Sequence, residues 1–364
     1  MNYDAVLLTS FGGPEGPDEV MPFLERVTAG RGIPRERLEE VSHHYLAFGG
    51  VSPINEQNRE LQTHLREELK TRNIDIPLYL GNRNSPPFFA DVLRQIYSDG
   101  RHRVLSIVTS AYSSYSGCRQ YQENLVQALI EADLHGRMSI DKVRHYFDHP
   151  GFVLPFAKGL AQALKTLSDE GFIPANIHIF FTTHSIPISM AQTSGPKNMR
   201  GSFQDGIYVA QHNATAKAIR EIASKESAIP LPTWSLVYQS RSGAPDTPWL
   251  EPDIGDSLRG LATSDTKAVV VVPIGFVSDH IEVVWDLDSE VKAIADKMNL
   301  RFIRVSTPGK SKDFVAGLVD LLEERLTNST RKALSPLGPW DDFCPADCCP
   351  KPRRASLTVA EQPS

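Results

Sequence analysis

"AVVVVPIGFVSDHIEVVWDLDSE", residues 268–290, begins as a strand and ends as a helix. Its first residues are Ala and Val with no apolar/polar alternation, the composition of a strand buried on both faces rather than one half-exposed to water. The strand is expected over "AVVVVPIGF" (268–276). Asp279, His280, Glu282, Asp286, Asp288 and Glu290 then arrive within twelve positions. A fully buried strand with carboxylates gathered past its carboxyl end is a signature of parallel α/β architecture, where ligands lie beyond the strand ends.

Six further runs of the same kind extend the pattern: "AVLLTSF" (5–11), "IPLYLGN" (76–82), "RVLSIVTS" (103–110), "IHIFFTTH" (177–184), "TWSLVYQS" (233–240) and "RFIRVSTP" (301–308). Helical periodicity separates them, which predicts parallel sheets covered by helices on both sides. The runs group before about residue 120 and after about 175. This predicts an α/β fold of two similar Rossmann-like, doubly wound halves, residues 1–147 and 148–334, with the active-site cleft between them. "DHPGFVLPFAKGLAQALKTLSDEG" (148–171) predicts one helix, opened by Pro150 and closed at Gly171. Residues 335–364 are proline-rich and aperiodic, and their last dozen are expected to be disordered.

Composition narrows the function classes. A formal charge of −6 with no basic stripe argues against nucleic-acid binding. The apolar run near the N-terminus is too short for a signal peptide, and no window approaches the roughly 20 apolar residues of a membrane span. The expected location is the cytoplasm, where thiols stay reduced.

The strand ends "SFGGP", "GNRNSPP", "TSAYSSYSGC", "TTHSIP", "YQSRSG" and "PIGFVSDHIE" are all polar. If residues from about 280 are helical, Glu282, Asp286 and Glu290 stand one above another on a single face, and Asp279 is expected to join the row. Such a column of like charges costs a few tenths of a kcal/mol per pair. A cation path would offset that, and a π-type widening would align the four-residue spacing. A solvated acidic face at a helix start has the same pattern; position at a strand end is what favours the ligand reading. His184 closes a second core strand, and an imidazole with a pKa of about 6.5 exchanges protons near neutrality. Together the imidazole and carboxylates suggest an open site for a divalent cation such as Fe(II), although a hydrolytic metal site fits the spacing equally well.

"LLTSFGGPE", "FGGVSPINEQ", "TTHSIP", "VYQSRSGAPDTPWLEP" and "PIGFVSDHIEVVWDLDSE" resemble, in order, the signature segments of ferrochelatases. The resemblance spans residues 5 to about 325. It implies a chelatase that inserts ferrous iron, its substrate, into a porphyrin held between the halves. His184 then matches the family's active-site histidine and Glu282 its partner glutamate, while Asp286 and Glu290 match the acidic line leading away from the site. Phe11 stands where some relatives carry an iron-ligating tyrosine, so that axial contact is lost or supplied by another group. Tyr45, Ser52, Arg83, Ser113, Tyr115 and Tyr238, with Phe11, are candidates for porphyrin contact.

Three of the four cysteines, Cys344, Cys348 and Cys349, lie within six residues, and Cys118 follows the third strand. In a cytoplasmic chain this favours a metal or cluster over disulfides. Resemblance to actinobacterial ferrochelatases implies a 2Fe-2S cluster on these four; the adjacent pair Cys348 and Cys349 is geometrically awkward, which leaves open that one of those two is a spectator with a non-cysteine ligand in its place. Such a cluster is expected to clip the tail to the first half.

The stretch "FLERVTAGRGIPRERLEEVSHHYLAFGG" (23–50), which edges the cleft in the family, is dense in Arg, Glu and His. It suits a polar substrate edge better than a lipid surface. The expected substrate is therefore coproporphyrin III, giving coprohaem for a downstream decarboxylase that the chain contacts transiently. Protoporphyrin IX is the alternative, and a non-catalytic haem or metal carrier a more distant one. A monomer is expected.

Overall fold

The computed structural model describes residues 3–30, 32–241 and 247–351. The expected disorder of the last dozen residues, and residues 242–246 of the "YQSRSGAPDTPWLEP" segment, lie outside the described residues.

Among the described residues eight strands form two four-stranded parallel sheets. The first holds β1 (Ala5–Ser10), β2 (Leu78–Asn82), β3 (Arg103–Val108) and β4 (Ser139–Lys142) in the order β2-β1-β3-β4. The second holds β5 (Ile177–His184), β6 (Thr233–Gln239), β7 (Ala268–Val272) and β8 (Arg301–Arg304) in the order β6-β5-β7-β8. The two orders are the same, so one topology occurs twice. In each, the chain moves outward from the first strand and then crosses back to its other side. That reversal opens a crevice between β1 and β3, and again between β5 and β7.

Sequence reasoning finds seven of these strands and misses β4. "SIDK" alternates exposed and buried positions at a sheet edge, so it lacks the continuous apolar run that marks the others. The strand expected over 268–276 ends instead at Val272, because Pro273 has no N–H to extend the ladder.

The helix expected over 148–171 runs Pro150–Asp169, and the Gly151 N–H donates to His149 Nδ1 at 3.1 Å. It lies in a core common to both halves. Phe152, Phe156 and Leu160 pack with Leu8 and Ile107 of the first sheet, Ile179 and Val270 of the second, and Trp340 of the tail. Two ionic clasps reinforce this packing: buried Arg144 grips Glu324 at 2.7 and 2.9 Å, and Arg72 reaches Asp320 and Glu323 at 2.7 and 2.6 Å. Among the described residues no helix is long and apolar enough to cross a membrane.

Helices Pro17–Thr28 and Arg35–Leu46 form a lip. Their inner face, with Phe23, Leu38 and Tyr45, packs with Phe11 and with Ile281 and Trp285 of the second half. Arg35 and Arg37 pair with Glu39 and Glu40 on the outer face, as a polar edge requires. The polarity is incomplete, however, because Leu46 at the end of the second helix and Phe48 and Val51 just beyond it are exposed.

Candidate active site

His184 is the last residue of β5. Its Nδ1 lies 2.5 Å from the Ser185 carbonyl oxygen, and its own carbonyl accepts the Tyr208 hydroxyl at 2.9 Å. With Nδ1 engaged, Nε2 is left to face Glu282 Oε2 at 3.7 Å. Glu282 arrives from the loop after β7, which must pass close over the end of β5. Gly275 permits this: a Cβ there would stand 2.1 Å from Thr183 Oγ1. The pair therefore sits at the crevice between β5 and β7, the place where the topology puts ligands.

His280 completes a trio, with Nδ1 3.8 Å from the same Glu282 oxygen. Burial pushes its pKa down, opposed by the Glu282 charge. At these separations the groups do not hydrogen-bond to one another, which leaves the facing lone pairs available. Glu282 remains 45% exposed and His184 31%, so both are reachable from solvent.

Beyond Glu282 the helix widens into a π segment, Val284–Val291, as the four-residue spacing predicts. Asp286 accepts from Gln239 Nε2 at 3.2 Å and from the Ser240 hydroxyl. Burial raises its pKa to about 7; Glu282 and Glu290 add to the rise, while the Ser240 and Gln239 hydrogen bonds oppose it. Glu290 lies farther out, where its charge acts on His44 of the lip. The His44 ring stacks on Trp285 at 4.2 Å, joining the lip to the acidic helix.

Asp279 does not join the row. It precedes His280, whose extended backbone (φ −142°, ψ 177°) breaks the helical spacing. Its carboxylate instead accepts from Arg304 at 3.1 and 3.2 Å and from Thr307 at 3.1 Å, beside Asp288. Gln239 and Ser240 lie within the quoted "YQSRSG", yet sequence reasoning did not single them out. The available signal was an amide and a hydroxyl closing an otherwise apolar strand.

The porphyrin candidates divide into two groups. Tyr45 is buried close enough to Glu282 and Asp286 that their charges add to burial in raising its pKa. Phe11 packs edge-on against Phe23, and the Arg83 guanidinium lies 5.2 Å from the Phe11 ring centre. The other four are buried and engaged within the protein. Ser52 N–H donates to Pro14 O at 2.9 Å, Ser113 makes two bonds with Gln211, the Tyr115 hydroxyl donates to Glu123, and Tyr238 N–H donates to Pro252 O.

All four cysteines are buried together. Cys118, on the π turn Tyr115–Arg119, lies with its sulfur 4.0 Å from that of Cys344, and the sulfurs of Cys348 and Cys349 are 3.7 Å apart. Two sulfurs on one tetrahedral metal lie about 3.8 Å apart, close to both separations. Hydrogen bonds with Cys118 and Cys348 hold Cys344 well below the ordinary thiol range. The tail is fastened to both halves rather than to the first alone: Arg119 donates to the carbonyls of Ala346 and Cys348, Arg200 to that of Asp347, and Gly195 N–H to Cys349 Sγ at 3.0 Å.

Strand-end histidine, facing glutamate and acidic row define a metal-handling enzyme. The ferrochelatase family profile matches residues 3–326. The chain is 51% identical over 355 residues to the coproporphyrin III ferrochelatase of Streptomyces griseus, covering 96% of this chain and 93% of that protein. It is 50% identical over 372 residues to the coproporphyrin III ferrochelatase of Leifsonia xyli, covering 98% and 95%. A solved structure, SirB from Bacillus subtilis with Fe3+, aligns at a TM-score of 0.49 and 10% identity over 89% of this chain and 96% of that one; a likeness at that level adds no weight. The chain belongs to the ferrochelatase family of metal chelatases.

Proposed function

We propose that this chain inserts ferrous iron into coproporphyrin III, releasing two protons and giving coprohaem in haem biosynthesis. The observation that carries the site is His184 facing Glu282 at 3.7 Å in the second crevice, with Asp286 placed behind them. Metallation needs a base for two pyrrole protons and transient ligands as iron sheds water. His184 Nε2 and the Glu282 carboxylate supply both. A carboxyl that titrates near 7 can take a proton from Glu282 and pass it outward, and Glu290 extends the acidic line toward solvent. Tyr45 and Phe11, packed with Ile281 and Trp285 beside the acidic row, are the groups assigned here to meet the macrocycle.

The names of the similar actinobacterial proteins and the ion-paired outer face of the lip support the four-propionate substrate. Exposed Leu46, Phe48 and Val51 favour the second reading, protoporphyrin IX delivered from an apolar surface. Measuring kcat/KM for both porphyrins in detergent-free buffer decides between them. A preference for protoporphyrin with aggregation controlled would reject coproporphyrin.

We further propose that Cys118, Cys344, Cys348 and Cys349 hold a 2Fe-2S cluster. The two thiol pairs suit its two irons, and the buried Lys142 beside them offsets thiolate charge. When bound, the group would contribute folding free energy by fastening the tail. The same reading makes the protein a cytoplasmic monomer that passes coprohaem to a decarboxylase by transient contact. Sedimentation and co-purification with that enzyme test these last points.

A further inference from the structure

The cysteine centre holds one residue that a four-thiolate cluster leaves unused. Each iron of such a cluster is filled by two thiolates and two bridging sulfides. His145 nevertheless offers a ring nitrogen that, with the sulfurs of Cys118 and Cys344, forms a set of ligand atoms all within 4.8 Å of one another. We infer that this centre is also a mononuclear site for a zinc-class divalent cation, with Cys118, His145 and Cys344 as three of its ligands.

Three observations converge on it. His145 is only 4% exposed and its ring already meets the Cys344 thiol, while Nε2 has no other hydrogen-bond partner among the described residues. An unpaired buried nitrogen is costly unless it has a ligand. A cavity of about 10 Å³, lined by Cys118, Lys142 and His145 though not by Cys344, leaves room for one water beside two of the three ligands. The Cys118–Cys344 separation of 4.0 Å needs to close by only a few tenths of an ångström to meet the spacing of two zinc-bound sulfurs.

The donor chemistry agrees. A mixed set of sulfur and imidazole nitrogen suits zinc and excludes the oxygen-seeking calcium and magnesium. Cys348, whose thiol hydrogen-bonds with that of Cys344, can supply a fourth ligand. Lys142 is buried against these thiols with no carboxylate within 4.0 Å among the described residues, so its ammonium balances bound thiolates. One zinc would fasten Cys118 of the first half to Cys344 of the tail whenever iron or sulfide for a cluster is short. The inference rests on this ligand set and does not require the cluster.

The test uses the full chain, freed of any iron and sulfide under reducing conditions and titrated with Co(II) without porphyrin. Thiolate-to-cobalt charge-transfer absorption reports only a sulfur-bound ion, so binding at His184 and Glu282 is silent. One equivalent should bind and be displaced by zinc. H145A should weaken cobalt binding by about tenfold or more, whereas H145C, which restores a ligand, should recover it. Folding is checked independently by the metal-free thermal midpoint of H145A, which should match that of the metal-free wild type. Absence of charge-transfer absorption in the wild type, or unchanged affinity in H145A, overturns the site. A cobalt-binding wild type that never assembles a cluster overturns the cluster reading and leaves this one standing.

Discussion

The side-chain amide of Gln239 donates to the Asp286 carboxylate at 3.2 Å, while the same nitrogen reaches the Glu282 carbonyl at 3.1 Å. Its oxygen accepts from Thr182 on β5 at 2.9 Å. One buried side chain therefore fixes the acidic helix relative to both β5 and β6. Replacing Gln239 with Leu should lower kcat/KM for iron by about tenfold, the scale of losing a partner that orients a ligand. Steady-state kinetics with iron varied checks this, and the porphyrin KM should stay near wild type.

Asp286 links the site to stability. Its carboxyl titrates near 7 in the folded protein against an ordinary value of 3.8. Between those pH values the native state holds a proton that the unfolded chain has released, so stability falls as pH rises through the window. The deficit is complete above about pH 7 and absent below about pH 4. Asp286→Asn should raise stability at pH 8 by on the order of 2 kcal/mol, allowing for partial solvent screening, with no gain at pH 4. Denaturant titrations at the two pH values measure it.

Arg144 and Glu324 are both almost wholly buried and paired through two bonds. Removing one partner strands a charge in the interior, which costs about 3–5 kcal/mol. Glu324→Ala should therefore lower the thermal midpoint markedly. Replacing both with apolar residues of similar volume should restore most of it, a recovery that loss of packing alone would not give.

The cluster reading predicts a brown protein when purified anaerobically, with visible charge-transfer bands. Cys344→Ser should lose the colour and much of the soluble yield, because Cys344 links the tail to Cys118. Iron and sulfide determinations on the wild type decide the matter, and finding neither would remove the cluster.

Much of this molecule is legible in its residues because buried parallel strands print their burial directly. β7, "AVVVV", is fully enclosed, and the acidic row follows it at a spacing that a π segment accommodates. What escapes is decided by tertiary geometry. β4 is a polar edge strand, and Asp279 leaves the row because His280 is extended rather than helical. Gln239 acts through contacts 43 and 47 positions away along the chain. His145 resembles any core histidine until Cys344 is brought back beside it from the tail.

Position along the acidic row should separate chemistry from supply. Glu282 faces both His184 and His280, whereas Glu290 lies two helical turns on, beside the lip. His184→Ala and Glu282→Gln should each reduce kcat by about a hundredfold or more, the contribution of a positioned acid or base. Porphyrin affinity should change little, because the proposed function assigns His184 and Glu282 to the metal and the protons and not to anchoring the macrocycle. Glu290→Gln should instead raise the KM for iron several-fold with kcat near wild type, because it touches the approach and not the reacting atoms. Varying iron and porphyrin separately, with porphyrin binding followed by fluorescence quenching, resolves the two patterns. Wild-type behaviour in both Glu282→Gln and Glu290→Gln would reduce the row to a solvated helix face.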